Sequence, residues 1–188
     1  MINKFEIRRK LLHILLGIIL ILTSLFSPYA KKAIFVLLVL GVFISFLSTQ
    51  YKLPVITKCL CIFERECNKH FPGKGVLFFL IGSLLSLQLF PKEIALASIM
   101  ILTFADPLSC IIGSSFGKIK LINEKNIEGT IAGIFIGTLL ASLFVPVYLA
   151  FIGSLFAMIF ELTFSDVVDD NLLIPLIAGT IMYLLYLI

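Results

Sequence analysis

Charge is what this sequence has least of. Only 14% of its 188 residues are Asp, Glu, Lys or Arg, while 60% are hydrophobic and the mean hydropathy is +1.14. A soluble domain carries about a quarter of its residues as charges, so that class is excluded and an integral membrane protein is expected. The chain also lacks a small-residue cleavage site after "MINKFEIRRK" and the apolar run that follows, so this run is expected to remain as a helix and not to be removed as a signal peptide. Neither an internal repeat nor a low-complexity tract occurs, which speaks against a solenoid and an inverted-repeat transporter. No GxxxxGK[ST] loop is present, which excludes a Walker A site. The four cysteines, Cys59, Cys61, Cys67 and Cys110, fall at or near the side read below as cytoplasmic, where thiols stay reduced. No disulfide framework is expected.

What the chain does have is apolar length. A helical crossing takes about 20 residues, and seven runs offer themselves: 11–28, 33–49, 75–90, 93–113, 129–144, 146–163 and 171–188. The expected fold is therefore all-α, a polytopic transmembrane bundle of about seven helices forming one domain over residues 1–188. The fifth and sixth runs have a second reading, because "FVPVYLAF" also suits one long element kinked at proline. With the N-terminus cytoplasmic, Lys4, Arg8, Arg9, Lys10, Lys52, Lys58, Arg65, Lys69, Lys74, Lys118, Lys120 and Lys125 lie inside and only Lys31, Lys32 and Lys92 outside. The positive-inside rule favours that orientation. Three longer inside segments, 50–74, 114–128 and 161–170, then face the cytosol, and function is expected to concentrate there.

The most informative stretch is "FADPLSCIIGSSFGKIK", Phe104 to Lys120. Asp106 is a carboxylate within an apolar run, and an ionisable residue there marks a functional site by default. Pro107 removes a backbone donor beside it, which allows a kink or break at membrane depth. Ser109, Gly113 and Gly117 recur every four residues, a small-residue face open to a neighbouring helix or a ligand. Lys118, Lys120 and Lys125 follow, and a metal-holding carboxylate beside a glycine-lined, lysine-rich loop suits a nucleoside triphosphate with Mg²⁺.

Other segments add to this theme. In "RRKLLHILLG", Arg9, His13 and Gly17 sit at i, i+4 and i+8 on one helical face; Arg9 and Lys10 also read as plain membrane anchors. In "KNIEGTIAGIFIG", Thr130 is a plausible N-cap, and Gly129, Gly133 and Gly137 form a GxxxG face beside a helix start that offers backbone N–H groups to an anion. Helix packing does not explain Glu128 there. "ELTFSDVVDDNLLIPL" gathers Glu161, Asp166, Asp169, Asp170 and Asn171, a solvated loop or candidate Mg²⁺ ligands. "PVITKCLCIFERE" reads as an interfacial amphipathic helix, and "PGKG" as either a tight turn or a backbone approach to a ligand around Lys74. Cys59, Cys61, Cys67 and His70 are four soft ligands, but their spacing matches no standard zinc module.

In order, "RKLLH", "PGKGVLFFLIG", "ADPLSCIIGSSFGK", "KNIEGTIAG" and "DNLLIPL" resemble the polyprenol and phytol kinase family. That family includes dolichol kinase and the CTP-dependent diacylglycerol kinase, and is related to phosphatidate cytidylyltransferase. The resemblance implies a multi-pass enzyme that phosphorylates a lipid alcohol at the cytoplasmic face, with CTP as phosphoryl donor and Mg²⁺ or another divalent cation. It puts nucleotide binding on Gly113, Gly117, Lys118, Lys120, Lys125 and Gly129, joined by Arg9, Lys10 and Lys74. Metal binding falls on Asp106, Asp170 and Asn171, and Asp106, Glu128 and His13 are the catalytic candidates. Expected partners are the membrane lipid substrate and a nucleoside triphosphate, without nucleic acid; a homo-oligomer is compatible. Two alternatives stay open, a phosphatidate cytidylyltransferase and a small transporter built around Asp106 and His13.

Overall fold

The computed structural model describes residues 4–50, 73–121, 125–165 and 167–188. Among them the chain forms seven helices and no strand: α1 (Lys4–Phe26), α2 (Ala30–Gln50), α3 (Lys74–Leu89), α4 (Lys92–Phe116), α5 (Ile127–Ala141), α6 (Val147–Phe164) and α7 (Asp170–Tyr186). The amphipathic segment and the Cys59, Cys61, Cys67 and His70 constellation lie outside the described residues. Cys110 is a free thiol.

Four helices, α1, α2, α4 and α6, are long and apolar enough to cross a bilayer. The other three, α3, α5 and α7, have only 16, 15 and 17 residues. α1 starts seven residues before its apolar run because its charged first turns are also helical, held by an Arg9–Glu6 ion pair of 2.9 Å. The second reading of "FVPVYLAF" does not hold: α5 ends at Ala141, the chain turns, and Pro146 caps α6. Proline is accommodated there, where its missing N–H costs nothing.

α4 is the mast of the bundle. Its apolar window is 72% buried, against 28% in α1 and 11% in α2, and Ile99, Ile101 and Leu102 are sealed from solvent. α6 packs on α5 and α7, and α3 on α2 and α7, with Phe79, Leu149, Met158, Ile174 and Met182 filling the centre. α2 turns Phe35, Val36, Val39, Phe43 and Phe46 outward, where lipid takes the place of core.

Pro107 does not break α4. Lacking an N–H to offer Thr103, it lets the preceding turn widen, and Ile101–Ala105 forms a π turn between two α segments. α1 docks on this turn through Lys10, His13 and Gly17, spaced i, i+3 and i+7. Arg9, expected on that face, lies one position round, toward Glu6. A methyl at Gly17 would overlap the Thr103 side chain.

The small face of α4 is filled by a helix. Gly129 of α5 lies against Gly113 and the Ser109 carbonyl, so that a Cβ on Gly129 would come within 2.8 Å of the Gly113 Cα. Gly129→Ala is expected to wedge α4 from α5 and cost about 1–3 kcal/mol, read as a lower unfolding temperature in detergent.

Candidate functional site

Asp106 begins the second segment of α4 and is buried. Lys10 of α1, also buried, donates to both its oxygens at 2.9 and 2.8 Å. One turn further into α1, His13 Nε2 lies 3.0 Å from the Leu102 carbonyl in the π turn and 4.0 Å from Asp106 Oδ2. A carbonyl only accepts, so Nε2 carries the proton and Nδ1 is the basic nitrogen. The edge of Phe79 from α3 fixes the ring, with centroids 4.6 Å apart at 85°. The irregular turn thus does two things: it aims Asp106 at α1, and it supplies the carbonyl that sets the His13 tautomer.

Two more carboxylates meet Asp106. Glu161, the only charged residue of α6, is 2% exposed, and Asp170 opens α7. One ligand oxygen from each of Asp106, Glu161 and Asp170 lies within 4.8 Å of the others. Lys125, just before α5, reaches Glu161 Oε1 at 2.5 Å and Asp170 Oδ2 at 3.9 Å. Glu161 Oε2 and Asp170 Oδ1 are buried without a hydrogen-bond partner. Three carboxylates facing two ammonium groups leave one negative charge over, and two buried acceptors with no donor are costly in a low dielectric. Hard oxygens in this number suit a divalent cation such as Mg²⁺, so the residues present fit the metal that the sequence resemblance implied.

The remaining sequence-selected residues frame this centre. Glu128 accepts the backbone N–H groups of Lys118 and Ile119 at 2.9 and 3.3 Å, pinning the loop that leaves α4. The side chains of Lys118 and Lys120 are exposed on that loop, whose backbone pairs Lys120 with Asn126. Asn126 caps α5, where Thr130 was expected. It is extended and paired through its neighbours, Ile127 N–H to the Ile119 carbonyl at 3.0 Å, so the helix starts there and Thr130 falls in its first turn. The Asn126 amide also donates to the Gly113 carbonyl at 2.6 Å and fills the space beside Gly117, where a side chain would collide with it.

At the mouth of α7, Asp169 accepts from the backbone and side-chain amides of Asn171 at 3.2 and 2.9 Å and lies 3.6 Å from Lys74 Nζ. Asn171 therefore turns to Asp169 while Asp170 turns to Lys125. Gly73, with φ 79°, makes the tight turn into α3. Asp106, Lys10, His13, Lys125 and Asp170 are thus brought together, and Glu161 joins them from the acidic run. Its signal in sequence is a lone charge inside an apolar helix, the same feature that singles out Asp106.

No protein-family model and no solved structure matches the chain. Among curated proteins, it is 30% identical over 179 residues to an uncharacterized protein of Methanocaldococcus jannaschii, covering 94% of this chain and 92% of that one. It is 26% identical to the CTP-dependent diacylglycerol kinase 1 of Schizosaccharomyces pombe, over 97% of this chain and 94% of the relative. To the protein of the same name from Saccharomyces cerevisiae it is 24% identical, over 78% of this chain and 54% of the relative. The chain belongs to the family of the Methanocaldococcus protein, and proteins named CTP-dependent diacylglycerol kinase are its distant homologues.

Proposed function

We propose that the protein transfers the γ-phosphoryl group of CTP to the hydroxyl of a membrane lipid alcohol, diacylglycerol or a polyprenol, at the cytoplasmic face. The observation that carries this reading is the carboxylate trio of Asp106, Glu161 and Asp170, with its two unpaired oxygens, set against lysines at one end of the bundle. The names of the yeast homologues support the donor and the class of acceptor.

In this reading Asp106, Glu161 and Asp170 hold a divalent cation, which when bound neutralises charge on the phosphates. Lys118 and Lys120, exposed on the loop that Glu128 fastens, draw the polyanionic nucleotide in; Lys125 and Lys10 offset negative charge beside the reacting group. His13, with its proton fixed on Nε2, offers Nδ1 to the lipid hydroxyl. The hydroxyl oxygen bonds to the γ-phosphorus, the bridging oxygen leaves with CDP, and the hydroxyl proton passes to the base. The acceptor comes sideways from the bilayer, so the site needs no channel through the protein.

CTP labelled separately at the α and γ phosphates, given with Mg²⁺ and a mixture of lipid alcohols and phosphatidate, separates the chemistries. The expected result is label in extracted lipid from the γ position alone, with the product's chromatographic mobility naming the alcohol. Label from the α position alone would replace this reading with cytidylyl transfer.

A further inference from the structure

The end of the bundle away from the carboxylates carries a cavity, where α1 ends, α2 begins, α3 ends and α4 begins. Its volume is about 260 Å³, and it is lined by Ser24, Ser27, Lys31, Leu87, Phe90 and Lys92 among others. At about 30 Å³ per water this has room for a phosphodiester and its nearest atoms, but not for acyl chains.

The charges around it run against the usual rule. Lys31 stands in the first turn of α2 and Lys92 in the first turn of α4, where the positive end of the helix dipole disfavours a cation. α2 has no acid in that turn; α4 has Glu93, which is exposed and is not among the lining residues. Lys92 lines the cavity, and its Nζ donates to the Leu25 carbonyl at the end of α1 at 3.3 Å. Ser24 lines the wall, 5% exposed, with a buried hydroxyl oxygen that has no partner. Two helix N-termini, two lysines and an unsatisfied hydroxyl around one hollow make an environment for an anion. The hollow lies where apolar helices end, so a bilayer around them would set its headgroups there beside apolar Leu87 and Phe90, and the anion at hand would be a lipid phosphate.

We infer that this cavity binds the phosphate of an anionic phospholipid headgroup in the leaflet opposite the carboxylate site. Lys31 and Lys92 pair with the phosphate, Ser24 or Ser27 donates to it, and the glycerol end lies along Phe90 and Leu87. The site is separate from the reaction centre and independent of the proposed kinase activity.

The test is retention of dioleoyl phosphatidylglycerol by the detergent-purified full chain, read by native mass spectrometry against phosphatidylcholine. Each removed lysine is expected to weaken retention about fivefold, so Lys31→Gln with Lys92→Gln gives about a twenty-five-fold loss. Lys32→Gln is the control, since Lys32 sits 5.7 Å over the Tyr29 ring and does not line the cavity; it should bind as wild type. All three lysines are exposed, and an unchanged melting temperature verifies folding. Ser24→Ala, which removes a hydroxyl without enlarging any side chain, is a second variant and should weaken retention several-fold. Equal retention of both lipids, an unaffected double variant, or equal loss in Lys32→Gln would overturn the inference. Inorganic phosphate in millimolar excess should not displace the lipid; full displacement would make the ligand a soluble anion and overturn the assignment to lipid.

Discussion

Glu161→Gln is expected to lower lipid phosphorylation by about two to three orders of magnitude while leaving the protein as stable as wild type or slightly more so. Glutamine keeps the shape and an oxygen for Lys125, whose own side chain is 28% exposed and does not become a buried orphan. What changes is the second atom. Oε2, buried without a donor, becomes an amide that points hydrogens where a cation would sit. Relief of crowding among three carboxylates offsets the lost charge pair, so activity and stability part company. The measurement is initial rate against Mg²⁺ concentration, beside a melting curve in the same detergent. A variant with wild-type turnover would remove the trio from the reaction.

Lys10→Met should behave in the opposite way and destabilise the fold by about 3–5 kcal/mol, because Asp106 is left charged and buried without its partner. The double variant Lys10→Met with Asp106→Asn removes both charges and should recover most of that loss. It should nevertheless stay inactive, since Asp106 is a proposed cation ligand. Denaturation curves of the single and double variants, with γ-label transfer measured on each, distinguish the two roles of the pair. If the double variant were active, Asp106 would be an anchor for α1 and no more.

Most of the fold was legible in the sequence because it depends on the length of apolar runs. Pro91 and Pro146 mark where α4 and α6 begin, and the short turns before them leave little choice of where the preceding helices end. The start of α1 was less legible, since hydropathy says nothing about whether a charged turn is helical. The α5 cap was missed because it is decided by pairing between Ile119 and Ile127 across a loop, a contact that Thr130's own neighbourhood does not encode. Asp106 was visible as a carboxylate out of place. Glu161 was harder to separate from Asp166, Asp169 and Asp170, for only the packing of α6 brings it to a residue 55 positions earlier in the chain. Likewise both Arg9 and Lys10 could face α4 by period alone; the docking of Gly17 on Thr103 selects Lys10.

The three short helices all begin at the carboxylate end, at Lys74, Ile127 and Asp170. At about 1.5 Å per residue, 15 to 17 residues rise only some 23–26 Å, less than the roughly 30 Å of hydrocarbon in an ordinary bilayer. α3 and α5 present this shortfall to lipid through Val76, Ile131 and Phe135. A bilayer meeting a mismatch of several Å is expected to thin beside them, at a cost of a fraction of a kcal/mol per Å. Thinning at the carboxylate end would bring headgroups toward Asp106, and in the proposed reading a lipid alcohol there would stand near the level of phosphoryl transfer. On that reading the short helices bring the surface of the bilayer to the site, where a lid or a deep tunnel would otherwise have to carry the lipid.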